Sequence, residues 1–338
     1  MTTLSPLARA AAGAALALGL AVGAPALAAD QVTFQLDWVP GGDKAHVYVG
    51  VQQGFFAEEG IELEILSGSG STDAITRIAT GASDIGVCGL GALMAAKVES
   101  PELPVTAVMS VFTDGPHAIF TTADTSIDAL TDVGGTTVGT APFSSSNVYW
   151  PLVLSENGVD PESVEIVNTE PGSLGPMLMT GRIDAAIMWV TNEPLLEPQA
   201  AEAGKELVMM PWSDYGLEMY STSLVVSDSF IEENPDLLRR FNRAFAKSMA
   251  FMRDNPAVAA EALATIVPEI DAAVAEGQIR AALDLAFNDA TEAAGPGNFD
   301  PDRLAGTWDW VSRAQGFAPD AIDPESVVDR SFVPAEAM

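Results

Sequence analysis

Cysteine is almost absent from this chain of 338 residues, with Cys88 standing alone. No internal disulfide can form. Histidine is nearly as scarce, at His46 and His117, so no Cys/His metal centre is expected. Positive charge is thin: 15 Lys and Arg stand against 47 Asp and Glu, a net of −32. Nucleic acids and anionic membranes need positive surface, so neither is expected as a partner. Acid at this density reads as solubility in a salty medium and says little about a ligand. Catalytic signatures are missing too. There is no G-x-S-x-G for a serine nucleophile and no GxxxxGK[ST] loop for nucleotide hydrolysis. After residue 28 no apolar run reaches the roughly 20 residues that span a bilayer.

What is present starts with an export signal. Residues 1–28 hold one base, Arg9, no acid, an Ala/Leu/Gly core and a small-x-small end at Ala26-Leu27-Ala28. This pattern reads as a cleaved secretory signal. A membrane anchor is the competing reading, but Gly and Pro25 break the run. Without the signal the chain keeps 14 bases and 47 acids, a net of −33. It remains long enough for two domains.

The most informative segment is Val32 to Ile65. Val32, Phe34 and Leu36 alternate as in a strand. Pro40-Gly41-Gly42 breaks it. Ala45 to Phe56 is apolar at helical spacing, Gly60 stops the helix, and Ile61 to Ile65 alternates again. Such a unit places Asp37 and Trp38 at the carboxyl end of a strand, where open α/β sheets bind ligands. Strands then alternate with helices to about residue 226, favouring an α/β fold with mostly parallel sheets. From Asp228 onward the pattern is almost all helical. Phe241, Phe245, Met249 and Met252, spaced by three and four, read as core.

The motifs LDWVP and GFFAEEGIELEI, with Gly81-Ala82-Ser83-Asp84-Ile85-Gly86 and Gly181-Arg182-Ile183-Asp184-Ala185, resemble the thiamine-precursor and sulfonate/nitrate/taurine-type periplasmic binding proteins of ABC importers. The resemblance covers most of the chain after the signal. It implies a type II periplasmic binding protein, two α/β lobes joined by a two-strand hinge with a ligand cleft between them. Lobe one would be 30–118 plus 224–338, lobe two the inserted 119–223, with hinges near 117–122 and 220–225. It further implies a monomer in the periplasm, a small-molecule ligand, an ABC permease partner, and no cofactor or metal.

Candidate ligand contacts follow. Trp38 stacks on a flat ligand or packs in the core. Asp37 binds a ligand amine or caps a helix. Lys44 stands where the thiamine-precursor members usually have histidine; it contacts an acidic ligand group or, as the plainer reading, lies in solvent. The Gly/Ser loop with Ser69 and Ser71, and the Gly89-Leu90-Gly91 turn, offer N–H groups at helix starts, with Ser71 equally readable as a plain N-cap. Ser144, Ser145, Ser146 and Asn147 form a polar cradle before a helix. Trp189, Asn192 and Glu193 end another strand. By the resemblance Glu193 would pair with an aminopyrimidine ring; read alone, it caps the next helix. Tyr220 is expected to close over the ligand.

Trp38, Tyr220 and Glu193 favour a flat, nitrogen-containing ring such as a pyrimidine. Lys44 and the serine cradle favour an anion such as a sulfonate, nitrate or aromatic carboxylate. The ring is preferred. An enzyme is the alternative of another class, since pyrimidine synthases resemble this family. Their lysine, histidine and Cys-rich cluster would fall on Cys88, Ala92 and Gly216 to Tyr220, so none is present. A scaffold role finds no interaction tail or exposed amphipathic stripe to support it.

Overall fold

A computed structural model of the chain describes residues 29–335. The signal reading on residues 1–28 lies outside the described residues, as do 336–338. Ten strands are present among the described residues: β1 (Asp30–Gln35), β2 (Ile61–Leu66), β3 (Ile85–Gly89), β4 (Val105–Ser110), β5 (His117–Thr122), β6 (Thr137–Thr140), β7 (Glu165–Asn168), β8 (Ala185–Trp189), β9 (Leu207–Pro211) and β10 (Thr222–Ser227). β1 and β2 fall where the alternation at Val32 to Leu36 and at Ile61 to Ile65 placed them, within two residues. The helices of eight or more residues are α1 (Ala45–Gln52), α2 (Ser71–Ala79), α3 (Leu90–Glu99), α4 (Ser146–Glu156), α5 (Glu193–Glu202), α6 (Pro235–Asp254), α7 (Pro256–Ile266), α8 (Ala272–Ala286) and α9 (Pro301–Gln315).

The strands form two sheets of five, ordered β2-β1-β3-β10-β4 and β7-β6-β8-β5-β9. The two orders are the same pattern used twice. Each sheet is mixed, which corrects the expectation of mostly parallel sheets. β1 runs parallel to β2 and β3, but β10 runs antiparallel to β3 and β4. β6 runs parallel to β7 and β8, but β5 runs antiparallel to β8 and β9. The reason is the route of the chain. β4 ends at the seam between the sheets, and residues 111–116 lead directly into β5, which must therefore start at the seam. β9 and residues 212–221 do the same in reverse for β10. In each sheet four strands end at the seam and one begins there. β5 lies wholly in the second sheet and β10 wholly in the first, so the chain crosses just before each of them. The crossings also pair with each other, since Val111 and Phe112 N–H both donate to Thr222 O and Ser221 N–H donates to Phe112 O.

The central strands β3, β5 and β8 are buried along their full lengths. Edge strand β2 keeps Glu62 and Glu64 in solvent, which blunts an exposed edge. α6 turns Leu238, Phe241, Phe245, Met249 and Met252 inward. Phe241 stacks on Phe34 of β1 with centroids 5.7 Å apart, so its apolar stripe is core, as its spacing indicated. Cys88 is buried in β3. α9 packs on α3 beside the first sheet and also on α4 beside the second, and Arg313 forms an ion pair with Glu156.

Candidate functional site at the seam between the sheets

The eight seam-ending strands deliver their following loops to one place, and the two sides touch there. Thr72 N–H donates to Phe143 O (3.2 Å). A Cβ placed on Gly70 would stand 2.2 Å from the backbone of Phe143, one on Gly89 2.8 Å from Ser145 Cβ, and one on Gly91 1.6 Å from Tyr149 Oη. These three glycines let the sides meet. Two tryptophans are exchanged across the seam. Trp38, which follows β1, packs on the second sheet's cluster of Phe120, Leu174 and Met188. Trp189, which ends β8, is buried in the first sheet's core beside Phe112, with ring centroids 6.4 Å apart.

Lys44 lies at the centre of this contact. The plainer reading put it in solvent; the structure buries it completely. Its Nζ sits 2.8 Å from Asp37 Oδ1 and 3.0 Å from Asp43 Oδ2. The same atom lies 4.5 Å from the Trp189 ring centroid and 6.0 Å from that of Phe112. Burial acts to lower the Lys44 pKa, but the two carboxylates outweigh it and hold the ammonium above its ordinary value. Burial drives the Asp37 carboxyl above its ordinary range, against the pull of Lys44. Two acids share one base in a dry place, and the deeper acid bears the desolvation. Asp37 is thus an ion-pair partner rather than a helix cap.

Beside this triad His117 opens β5, fully buried. Its Nδ1 lies 2.8 Å from Ser146 Oγ. Its ring sits 5.3 Å from Tyr149, 6.3 Å from Trp189 and 5.5 Å from Trp212. Burial lowers its pKa to about 3, so it is neutral at physiological pH. Several buried polar atoms here have no protein partner among the described residues: His117 Nε2, Ser145 Oγ, Tyr149 Oη, Trp212 Nε1, Ser221 Oγ and Thr222 Oγ1. Such groups are costly unless something meets them. His117 and Thr222 open β5 and β10, Trp212 and Ser221 lie in the crossing before β10, and Ser145 and Tyr149 lie just before and in the first turn of α4.

The other predicted residues divide. Ser145 offers a free hydroxyl, but Ser144 Oγ accepts from Ser146 N–H, and Ser146 is taken by His117. Asn147 ties its own loop, accepting from Thr140 Oγ1 and donating to Ala141 O. Ser71 does not cap α2; its Oγ accepts from Gly89 N–H. Ser69 is half-buried beside it. Leu90 is core, and its N–H is already given to Ser221 O, which removes it as a donor to ligand. Asn192 Oδ1 accepts from Trp189 N–H. Glu193 starts α5, half-buried, with its carboxyl raised by burial and then by Glu197. Tyr220 corrects an expectation: it is fully buried, its ring packs against Phe299, and its Oη accepts from Asp300 N–H (2.7 Å). It braces the crossing instead of closing over a ligand.

Sequence reasoning missed Phe112, His117 as a polar group, Tyr149 and Trp212. The one available signal was that His117 is one of only two histidines. A cavity of about 840 Å³ lies elsewhere, on the outer face of the first sheet's helices, lined by Phe55, Glu58, Arg243, Lys247 and Phe332 among others. Its charged walls are already paired, Lys247 with Glu58 and Arg243 with Glu59. The seam, with its orphaned polar atoms and strand ends, is the better candidate. No group of three or more metal-ligating side chains occurs among the described residues.

Comparison with known proteins agrees with this geometry. The family model described as NMT1/THI5 like matches residues 42–259. The chain belongs to that family. The formylaminopyrimidine-binding protein of Halalkalibacterium halodurans is 28% identical over 239 residues, covering 70% of this chain and 71% of that protein. The riboflavin-binding protein RibY of Chloroflexus aurantiacus is 25% identical over 311 residues, covering 90% and 86%. Yeast 4-amino-5-hydroxymethyl-2-methylpyrimidine phosphate synthases also match, one at 23% identity. Among solved structures, the alkanesulfonate-binding protein SsuA of Xanthomonas axonopodis superposes with a TM-score of 0.69 at 13% identity, over 90% of this chain and 99% of that one. The fold is that of the periplasmic binding proteins.

Proposed function

We propose that this protein is the extracytoplasmic receptor of an ABC importer, that it closes around a flat, nitrogen-containing heterocycle, and that it catalyses no reaction. The observation that carries the proposal is the seam. Two like sheets aim their strand ends at each other there, aromatic rings from both sides converge, and neutral polar atoms wait unpartnered. Closure of such a cleft is driven by contacts that a ligand makes to both sides at once. Two relatives are named for binding a formylaminopyrimidine and riboflavin, which share a flat ring carrying both donors and acceptors. The NMT1/THI5-like enzymes resembled here need a lysine, which would fall on Cys88. In this chain that thiol is buried in β3 and held strongly protonated by burial. Residues 1–28 would be the export signal, and no helix among the described residues is long and apolar enough to cross a membrane.

An anionic ligand fits less well. In the strand-end segments 36–44, 66–71, 89–91, 140–147 and 189–193 the sole basic side chain is Lys44, and two carboxylates already hold it. The test is calorimetric titration of the mature protein with a formylaminopyrimidine, riboflavin and a small alkanesulfonate. Saturable binding of a heterocycle with none of the sulfonate is expected; binding of the sulfonate alone overturns the ligand class. Incubation of the bound ligand with analysis by mass spectrometry should return it unchanged.

Glu193 gives a sharper test within the same reading. Its raised pKa suits a carboxyl that shares a proton with a ring nitrogen. Glu193→Gln should weaken pyrimidine binding at least tenfold, about 1.4 kcal/mol, with the thermal midpoint unchanged. Unaltered affinity would return Glu193 to the role of a first-turn acid on α5.

A further inference from the structure

The surroundings of Lys44 form a cage for a cation. Two buried carboxylates lie within 3.0 Å of one point, Asp37 at 2.8 Å and Asp43 at 3.0 Å, and the face of Trp189 lies 4.5 Å from it. Phe112 stands behind, 6.0 Å away. Carboxylates with aromatic faces are the chemistry that recognises ammonium groups. The walls come from both sides of the seam: Asp37 and Asp43 follow β1, and Trp189 ends β8. In this chain the point is filled by the chain's own ammonium. The polar atoms left over in the seam on His117, Ser145, Tyr149, Trp212, Ser221 and Thr222 are uncharged, and Asp37 Oδ2, also without a hydrogen-bond partner, belongs to the carboxylate that already pairs with Lys44.

We infer that Lys44 is a specificity-determining residue: by filling a carboxylate–aromatic cage with an internal cation, it restricts the seam to uncharged rings and shuts out ligands bearing an ammonium. This rests on the proposed binding role of the seam and adds the charge of its ligand. A second cation would find the point between Asp37 and Asp43 already filled by the Lys44 ammonium, with no open place between the two carboxylates. An anion would find the triad already one acid in excess. A neutral ring meets neither obstacle and can satisfy the orphaned hydroxyls, imidazole and indole.

Removing the lysine should expose the cage. The experiment uses the full mature chain as wild type, as Lys44→Ala, and as the double variant Lys44→Ala/Asp43→Asn. The double variant restores one excess acid, as in the wild type, and keeps the test available if two unpaired buried carboxylates prevent the single variant from folding. The probes are a 5-aminomethylpyrimidine, cationic at pH 7.5, its neutral 5-hydroxymethyl counterpart, and methylammonium chloride against sodium chloride at equal ionic strength. Wild type is expected to prefer the neutral pyrimidine by at least tenfold. Losing Lys44 should shift that ratio at least tenfold toward the cation, and methylammonium should raise the thermal midpoint of the lysine-free variants but not of the wild type. An unshifted ratio, or a response to methylammonium no larger than to sodium, overturns the inference. If wild type binds neither pyrimidine, the proposed ligand class fails, while the methylammonium response still decides whether the cage exists.

Discussion

Gly70→Ala will weaken ligand binding by about 100-fold, roughly 2.7 kcal/mol, while leaving the protein folded. Gly70 sits between β2 and α2 on one side of the seam. A Cβ there would come within 2.2 Å of the carbonyl carbon and oxygen of Phe143 on the other side. Those are backbone atoms and cannot rotate away. The sides must part, and the Thr72 to Phe143 hydrogen bond goes with them. Gly70 also has φ +144, a region that side chains rarely adopt, so part of the loss is strain of about 1–3 kcal/mol. Gly81→Ala separates the two effects. It carries φ +70 with nothing within 4 Å of the added carbon, so it feels strain without the clash. Titration calorimetry should show the Gly70 variant far weaker than the Gly81 variant. Small-angle scattering should show the Gly70 variant more extended than wild type. Equal affinities for the two variants would mean that the contact at Phe143 plays no part in closure.

Between pH 7 and pH 5 the protein should lose about 2 kcal/mol of stability for each of its histidines. Both are fully buried. Burial, joined by the charge of Lys44, lowers His46 to about 3, and burial alone lowers His117 to about 3. Unfolded histidine takes up a proton near 6.5. The folded pKa is depressed, so the unfolded state binds protons first as the pH falls. The stability is therefore fully present above about 6.5 and drains away down to about 3. The raised carboxyl of Asp37 works in the opposite direction, as does the discharge of this very acidic chain. The comparison must therefore be between proteins and not between pH values alone. Because the chain has only two histidines, His46→Gln and His117→Gln together remove the whole imidazole contribution. The wild-type midpoint should fall more steeply than that of the double variant over this range. Parallel curves would show that both rings are reached by water and titrate normally.

Much of the architecture is legible in the sequence. Alternation at Val32, Phe34 and Leu36 and at Ile61 to Ile65 marks strands because one face of each is buried, and burial imposes a period of two. The three- and four-residue spacing of Phe241, Phe245, Met249 and Met252 marks a helix for the same reason. The motifs in LDWVP and GFFAEEGIELEI were enough to suggest the family, and Trp38 and Trp189 were correctly placed at strand ends. Periodicity reports which face is covered, however, and not what covers it. Lys44 carries a charge that belongs in water by default; only the approach of Asp37, Asp43 and Trp189, the last of them 145 positions away, makes its burial tolerable. Tyr220 was expected over a ligand, but its partners Phe299 and Asp300 arrive from the far end of the chain. The mixed sheets follow from the chain crossing and returning at one seam, a property of the route and of no local sequence. His117 shows the division most clearly. As a residue it was visible at the start of a strand. Its neutrality, its contact with Ser146 and its place among Tyr149, Trp189 and Trp212 exist only because β5 begins at the seam, where both sheets end.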